Sequence, residues 1–377
     1  MKSKKYLVIL LIIIITGLLK AQPSILLTNL PGDLSSQFES AFNKADHNNG
    51  FWIGYSIQKI NDRNVMIGSF YFNDEFDDLS LRDLIYNTQK YQNFKSSYNE
   101  VKTKKKSGNY LVINHGSRNS DRVLDKETAI LFYYDENPKN INDFTEISVC
   151  NLSYFYFLGG CSIYWLGEKE SKSSVDFLFS LENNTREDKL RKRIISGISI
   201  HTDQPKVTSF LIDLINDKDE KTDLRKDATY WLGYQDNTSA FEELKRIIKN
   251  EPLIEIKKSA VFSIGSMDLP GSTDALIFIV KNNKNMEVRK NAVYALGNKA
   301  VKKAEEALKN IVDDDPDIEV KKAAVYALGN NLPKNIQYLI DIANNNSSLA
   351  VRKSAIYSLS NSNDERAFDA LIEIAKK

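Results

Sequence analysis

The segment VRKNAVYALG at residues 288–297 recurs as VKKAAVYALG at residues 320–329. Four more segments align with this pair without gaps: LRKRIISGIS from Leu190, LRKDATYWLG from Leu224, IKKSAVFSIG from Ile256 and VRKSAIYSLS from Val351. The six copies begin 34, 32, 32, 32 and 31 residues apart. A fixed period in this range is typical of stacked supersecondary repeats. A looser copy, CSIYWLG, ends at Gly167 and brings the count to about seven units within residues 151–377.

Each unit contains two helical patterns. In one copy, Val288, Ala292, Ala295 and Leu296 stand at positions 0, +4, +7 and +8, which is one face of a helix. The apolar run at residues 274–280 predicts the helix before it, and we call the two the first and second helix of a unit. A glycine at position +9 is interpreted as the stop of the second helix. These glycines are Gly233, Gly265, Gly297 and Gly329.

A helix pair of about 32 residues cannot bury both of its apolar faces alone, whereas stacked pairs can. The sequence therefore predicts a curved α-solenoid of about seven helix pairs. The pattern V-R/K-K-x-A-V-Y-A-L-G-N resembles HEAT-like repeats of the bacterial type, also called phycobilisome-lyase-like. The resemblance covers about the last 60% of the chain and mostly implies a protein-binding scaffold. An enzymatic relative, deoxyhypusine hydroxylase, holds iron with His-Glu pairs; here the three histidines precede Asn48, Gly116 and Thr202.

Two positions of the second helix lie opposite its apolar face. At 100° per residue, positions +2 and +6 fall at 200° and 240° and are neighbours on the helix surface. Position +6 predicts a stripe of aromatic rings, formed by Tyr230, Phe262, Tyr294, Tyr326 and Tyr357. Position +2 places a lysine beside each ring: Lys226, Lys258, Lys290, Lys322 and Lys353. The second helices of such solenoids line the concave side, so this stripe is the candidate binding site for a protein or peptide.

Two interpretations of the stripe stay open. The rings could pack between neighbouring second helices under the lysine stems, or they could contact a partner, since tyrosine is enriched at interfaces. The cation at position +1 is interpreted as structural, paired with a neighbouring unit or with acids near the start of the helix. Those acids are Asp223, Glu255, Glu287 and Glu319.

The N-terminus has the pattern of a secretory signal peptide. Lys2, Lys4 and Lys5 precede the apolar run at residues 6–19, which is shorter than the ~20 residues of a membrane span. Cleavage after Ala21 predicts a signal peptide at 1–21, an exported mature chain and no stable membrane span; an uncleaved anchor is the alternative. With 51 basic and 50 acidic residues overall, and −3 after cleavage, the chain does not fit a basic nucleic-acid binder.

Residues 22–150 predict a small β-rich α+β domain. Residues 34–45 form an amphipathic pattern, the runs at 51–60 and 65–72 predict a hairpin, and further strands are expected at 110–114, 128–134 and 145–150. The lysine-rich stretch 95–109 predicts a loop. Cys150 and Cys161 stand 11 residues apart, and export makes them either a disulfide or two buried thiols.

No catalytic or metal-binding motif stands out, and no cofactor is expected. His47, His115 and His201 are far apart in sequence, and a triad of His115 and Ser117 with some aspartate fits no known spacing. The leading hypothesis is an exported, non-enzymatic scaffold whose concave face binds a protein or peptide. The rivals are an enzyme with its site in residues 22–150 or at the domain junction, and an envelope protein of purely structural role.

Overall fold

The structure is a computed structural model. It describes residues 25–58, 60, 64–69, 80–87, 109–114, 125–154, 158, 161–330 and 332–376. The predicted signal peptide at 1–21, most of the lysine-rich stretch, His115 and Ser117 lie outside these residues. No helix in the described ranges combines the length and the apolar character that crossing a membrane requires. The chain divides into two compact units, Met1–Gln204 and Pro205–Lys377.

A seven-stranded sheet forms the centre of the first unit, with strands in the order β1-β7-β2-β5-β6-β3-β4. The strands are β1 Ile25–Leu27, β2 Phe51–Gln58, β3 Asn64–Ser69, β4 Asn109–Asn114, β5 Glu127–Tyr134, β6 Glu146–Asn151 and β7 Ser162–Lys169. Strand β7 runs parallel to both β1 and β2, and the other pairs are antiparallel. The strands predicted at 110–114, 128–134 and 145–150 are confirmed as β4, β5 and β6.

The predicted hairpin between residues 51–60 and 65–72 is wrong. Strand β2 pairs with β5 and β7, whereas β3 pairs with β4 and β6. The reason is visible in the burial of β2, because Phe51 through Ile57 are all buried. A strand that is apolar on both faces is typical of the middle of a covered sheet, and its neighbours come from distant parts of the chain.

Helices cover both faces of this sheet. They are α1 Leu34–Lys44, α2 Leu81–Tyr86, α3 Ser171–Asn184 and α4 Asp188–Ser199. On one face, Phe38 of α1 lies 5.0 Å from the Phe132 ring and 4.7 Å from the Phe177 ring of α3, measured between centroids. On the other face, Leu81 and Leu84 of α2 join a buried cluster that contains Trp52 and Trp165. Helix α1 confirms the amphipathic helix predicted at 34–45.

The looser repeat copy at Cys161–Gly167 is also corrected, because Ser162–Lys169 is strand β7 and not a helix. Trp52 of β2 stands opposite Ile163 in the parallel ladder. The run SIYWLG carries aromatic and β-branched residues, which favour strands, so its similarity to the repeats lies in its Leu-Gly ending alone. The predicted domain boundary at 150/151 therefore lies inside the first unit, which also contains α3 and α4.

Both cysteines belong to the first unit and are reduced. Cys150 is fully buried in strand β6, and Cys161 packs against the same apolar cluster. No disulfide joins them in this structure. Burial raises the pKa of the Cys150 thiol, so this group is held in its protonated form.

The second unit is built from helices throughout its described residues. They are α5 Pro205–Asn216, α6 Thr222–Tyr234, α7 Thr238–Asn250, α8 Ile254–Ser266, α9 Ser272–Asn282, α10 Met286–Gly297, α11 Lys302–Asp314, α12 Ile318–Gly329, α13 Leu332–Asn345, α14 Leu349–Ser360 and α15 Glu365–Ala375. Helices α6, α8, α10, α12 and α14 are the predicted second helices. Neighbouring second helices approach each other more closely than neighbouring first helices. The second-helix face is therefore the narrower, inner face of this α-solenoid.

The glycines at position +9 explain this close approach and do not act as the predicted stops. Gly233, Gly265, Gly297 and Gly329 all lie inside helices, and none has a positive φ. A Cβ atom on Gly265 would lie 2.8 Å from the Cβ atom of Ala295, and one on Gly297 would lie 2.8 Å from that of Ala327. The absent side chain lets two second helices touch.

The cation at position +1 caps the first helix of its own unit. Arg225 Nε donates to the Ile215 carbonyl at 2.7 Å, near the end of α5, and Arg289 and Arg352 reach Asn283 and Asn346 at the ends of α9 and α13. These bonds satisfy carbonyls that a helix end leaves without a partner. Arg225 and Arg289 also pair with acids of the next unit, Glu251 and Asp317. The structural interpretation of position +1 fits this geometry.

Acid is expected to weaken the second unit through Glu251. Bonds from Lys218 and from the Leu253 N–H, with the charge of Arg225, lower the pKa of Glu251 below its ordinary value of 4.5, although burial acts in the opposite direction. A lowered pKa in the folded state contributes stability that is present above pH 4.5 and is lost as the pH falls through the folded-state pKa. Urea unfolding at several pH values should show this loss, and a Glu251→Gln variant should show less of it. An unchanged loss in the variant would contradict the assignment.

Candidate functional site

The five aromatic side chains at position +6 lie in one row on the second-helix face, as the sequence predicts, and we call this row the aromatic stripe. Phe262, Tyr294 and Tyr357 are 49%, 44% and 59% exposed, whereas Tyr230 and Tyr326 are half-buried. Their helices bury positions 0, +4, +7 and +8, for example Val288, Ala292, Ala295 and Leu296 in α10, so position +6 stays on the solvent side.

Some of the rings pack against one another across neighbouring helices. Tyr230 stacks on Phe262 with a centroid distance of 5.7 Å, and Tyr326 meets Tyr357 edge-on at 5.9 Å. The packing interpretation of the stripe therefore accounts for part of these contacts. It does not account for the surface that stays open, because about half of each of Phe262, Tyr294 and Tyr357 remains in contact with solvent.

The lysines at position +2 are paired with the acids that the sequence assigned to position +1. Lys226, Lys258, Lys290 and Lys322 lie 3.5, 3.4, 3.3 and 2.9 Å from an acid three residues earlier. The correction follows from helix geometry, since positions −1 and +2 are i,i+3 neighbours while position +1 faces the preceding helix. The bond to Glu319, with the Tyr326 and Tyr294 phenols nearby, raises the pKa of Lys322.

The last lysine of the stripe differs from the other four. Lys353 is exposed, and Ala350 stands where the other units carry an acid. Among the described residues, Lys353 has no carboxylate within ion-pair distance. The face is thus nearly neutral along α6 to α12 and carries an uncompensated positive charge on α14.

Three exposed asparagines complete this face, and the sequence analysis missed them. Asn298, Asn330 and Asn361 follow Tyr294, Tyr326 and Tyr357 by four residues, so each amide lies one helical turn beyond a ring. The signal was present in the repeated strings YALGN, YALGN and YSLSN. An asparagine next to a helix end is ordinarily interpreted as a turn residue, which conceals it.

Two described histidines are occupied by structural contacts in the first unit. His47 Nε2 donates to the Phe42 carbonyl at 2.7 Å, and its ring stacks on Phe51. The fully buried His201 hydrogen-bonds Ser174 Oγ at 2.9 Å through Nε2 and the Ile198 carbonyl at 3.1 Å through Nδ1. Ser174 Oγ also bonds the Tyr55 hydroxyl at 3.0 Å.

No group of three metal-ligating side chains comes together within the described residues. A groove of about 600 Å³ lies between the first helices α9 and α11, on the other face of the solenoid. Ile277, Val280 and Ile311 line its floor, and the pair Asp274–Lys303, 2.5 Å apart, lies at its rim.

Comparisons with known proteins agree with this architecture. The family model for HEAT repeats matches residues 241–329 and 305–377. Human deoxyhypusine hydroxylase in complex with glycerol is similar in structure at 13% identity, covering 55% of this chain and 90% of that chain with a TM-score of 0.23. The complex of CpcE and CpcF of phycocyanin lyase from Nostoc sp. PCC7120 is similar at 16% identity, covering 54% and 94% with a TM-score of 0.26. A search of curated proteins finds no match. The helical repeats of residues 241–377 are therefore HEAT repeats.

Proposed function

We propose that this chain is an exported, non-enzymatic scaffold and that its aromatic stripe binds a protein or peptide partner. HEAT repeats commonly mediate protein interactions. The observation that carries the proposal is the exposure of Phe262, Tyr294 and Tyr357, large rings that their own helices leave about half open. Aromatic anchors contribute a large share of the binding energy at protein interfaces.

The electrostatics of the stripe favour a protein over a nucleic acid. Four of its five lysines already have a carboxylate within 3.5 Å. A phosphate backbone would have to compete with these acids for each cation, and binding of nucleic acid depends chiefly on such cations. Export is supported by the lysines and the apolar run at the N-terminus.

The stripe is expected to lose its partner when its open rings are removed. The test captures proteins from the cell envelope on the full chain, in which we expect cleavage after Ala21. A variant with Phe262, Tyr294 and Tyr357 changed to alanine should lose a partner that the wild type retains. These rings are about half exposed, so each change should alter stability by little, about 0.5 kcal/mol.

A matched control is available on the first-helix face. Phe278 of α9 is 66% exposed and lies away from the stripe. Phe278→Ala removes a comparable area of exposed ring and should leave capture unchanged. Equal loss in both variants would indicate nonspecific adhesion, and loss of fold in the triple variant would make the rings packing residues; either outcome contradicts the proposed function.

A further inference from the structure

The amides beside the rings are available to a ligand. Asn298, Asn330 and Asn361 are exposed, and within the described residues none of their side chains forms a hydrogen bond. Helix capping does not require these side chains, because the backbone N–H of each residue already closes the end of its helix. Each of α10, α12 and α14 therefore presents a ring and an amide one turn apart, which we call a ring–amide pair.

This arrangement matches the needs of an extended peptide in the polyproline II conformation. Such a peptide has no internal hydrogen bonds, so its carbonyls require donors from outside, and its proline faces pack on aromatic rings. An amide Nδ2–H₂ group supplies the donor and a tyrosine ring the flat surface. Three ring–amide pairs in a row offer both groups repeatedly.

The spacing of the pairs selects this conformation over a β-strand. Packed helices lie about 8–10 Å apart, so ring–amide pairs on neighbouring second helices recur at about that distance. Polyproline II repeats every three residues and rises about 3.1 Å per residue, which gives about 9.3 Å per turn. A β-strand repeats every two residues, or about 6.6 Å, and would bring successive faces out of step with the helices.

The charge of the face specifies one end of the ligand. Lys290 and Lys322, beside the first two of these rings, are paired with Glu287 and Glu319. Lys353, beside the exposed Tyr357, has Ala350 in the place of that acid. A ligand that is uncharged along most of its length and acidic where it meets α14 would complement this pattern.

We propose that the ring–amide pairs of α10, α12 and α14 bind a proline-rich segment of a protein partner in the polyproline II conformation, with an acidic residue of that segment at Lys353. This inference rests on the proposed function and specifies the chemistry of the partner. Tyr294, Tyr326 and Tyr357 hold the proline faces, and the asparagine amides donate to peptide carbonyls. The segment needs about nine residues to span three helices.

The test uses labelled synthetic peptides and the full chain, with binding measured by fluorescence anisotropy. The parent is a nine-residue polyproline peptide with blocked ends. Two others carry a pair of glutamates at the N-terminal or the C-terminal end, and a Gly-Ser peptide of equal length is the flexible control. The parent should bind more tightly than the Gly-Ser peptide, and one acidic peptide should exceed the parent by about threefold to fivefold, with the gain reduced by salt.

Variants assign these effects to residues. Lys353→Gln should remove the gain of the acidic peptide and leave the parent unchanged, whereas Lys290→Gln, at a lysine that already has an acid partner, should change neither. Changing Asn298, Asn330 and Asn361 together to alanine should weaken every polyproline peptide about tenfold.

Each contrary result has a separate meaning. Equal binding of the polyproline and Gly-Ser peptides would overturn the inferred conformation, and a gain that survives Lys353→Gln would overturn the acidic end. Both could occur while envelope capture still depends on the rings, in which case the proposed function would stand without this inference. Loss of ring-dependent capture would instead remove the proposed function itself.

Discussion

Substitution of Arg225 by methionine is expected to lower the free energy of unfolding by about 3 kcal/mol, the lower end of the range for breaking a buried ion pair. The side chains of Arg225 and Glu251 are only 4% and 5% exposed, and the Arg225 Nη2 atom lies 2.7 Å from Glu251 Oε2. Without the guanidinium, the Glu251 carboxylate stays buried with Lys218 as its remaining cation, and the Ile215 carbonyl loses its donor. Lys218, 2.8 Å away, compensates in part.

Arg246 provides the matched control for this measurement. It pairs with Glu243 on the surface of α7, and its side chain is 46% exposed. Arg246→Met should cost less than about 1 kcal/mol, because water screens an exposed pair. Chemical denaturation of the two variants at neutral pH compares the costs directly. Similar values for both would contradict a structural role for position +1 that depends on burial.

Gly297→Ala is expected to destabilise the solenoid by about 1–3 kcal/mol, although alanine is the better helix former. Its new Cβ atom would lie 2.8 Å from the Cβ atom and 3.2 Å from the Cα atom of Ala327, so α10 and α12 would have to separate. Thermal or urea unfolding of the variant measures the effect. Adding Ala327→Gly to it should recover part of the loss, which makes the two changes non-additive.

Gly197→Ala is the control for intrinsic helix propensity. Gly197 lies inside α4, and a Cβ atom there would meet nothing closer than Leu178 Cδ1 at 3.6 Å. This substitution should therefore stabilise the protein by up to about 1 kcal/mol. Stabilisation by both substitutions would show that the second helices are not in contact through Gly297.

The helical half of the fold could be predicted from sequence because its signals are local. Apolar spacing at positions 0, +4, +7 and +8 places each second helix, and the same rotation places Tyr294 and its equivalents on the open side. The partners of Arg225 were harder to assign, because its contacts come from Ile215 and Glu251, 10 and 26 residues away. The roles of the glycines were hidden for the same reason, since Gly297 is explained by a neighbour 30 positions later.

The sheet shows where local reasoning fails. The strands themselves were predicted well, but the pairing of β2 with β7 joins residues more than 100 positions apart. No turn between two strands signals such a pairing. The run SIYWLG could equally end a helix or form a strand by composition, and only burial between β1 and β2 decides the matter.

Site-specific photocrosslinking tests the central claim, that the second-helix face is the binding surface, most directly. A photoreactive phenylalanine analogue replaces Tyr294 in one chain and Phe278 in another, which places the probe at exposed aromatic positions on the two faces. The account predicts a discrete crosslinked partner in the envelope from position 294 and none from position 278. Crosslinks of equal yield from both positions, or a partner found only from position 278, would contradict it.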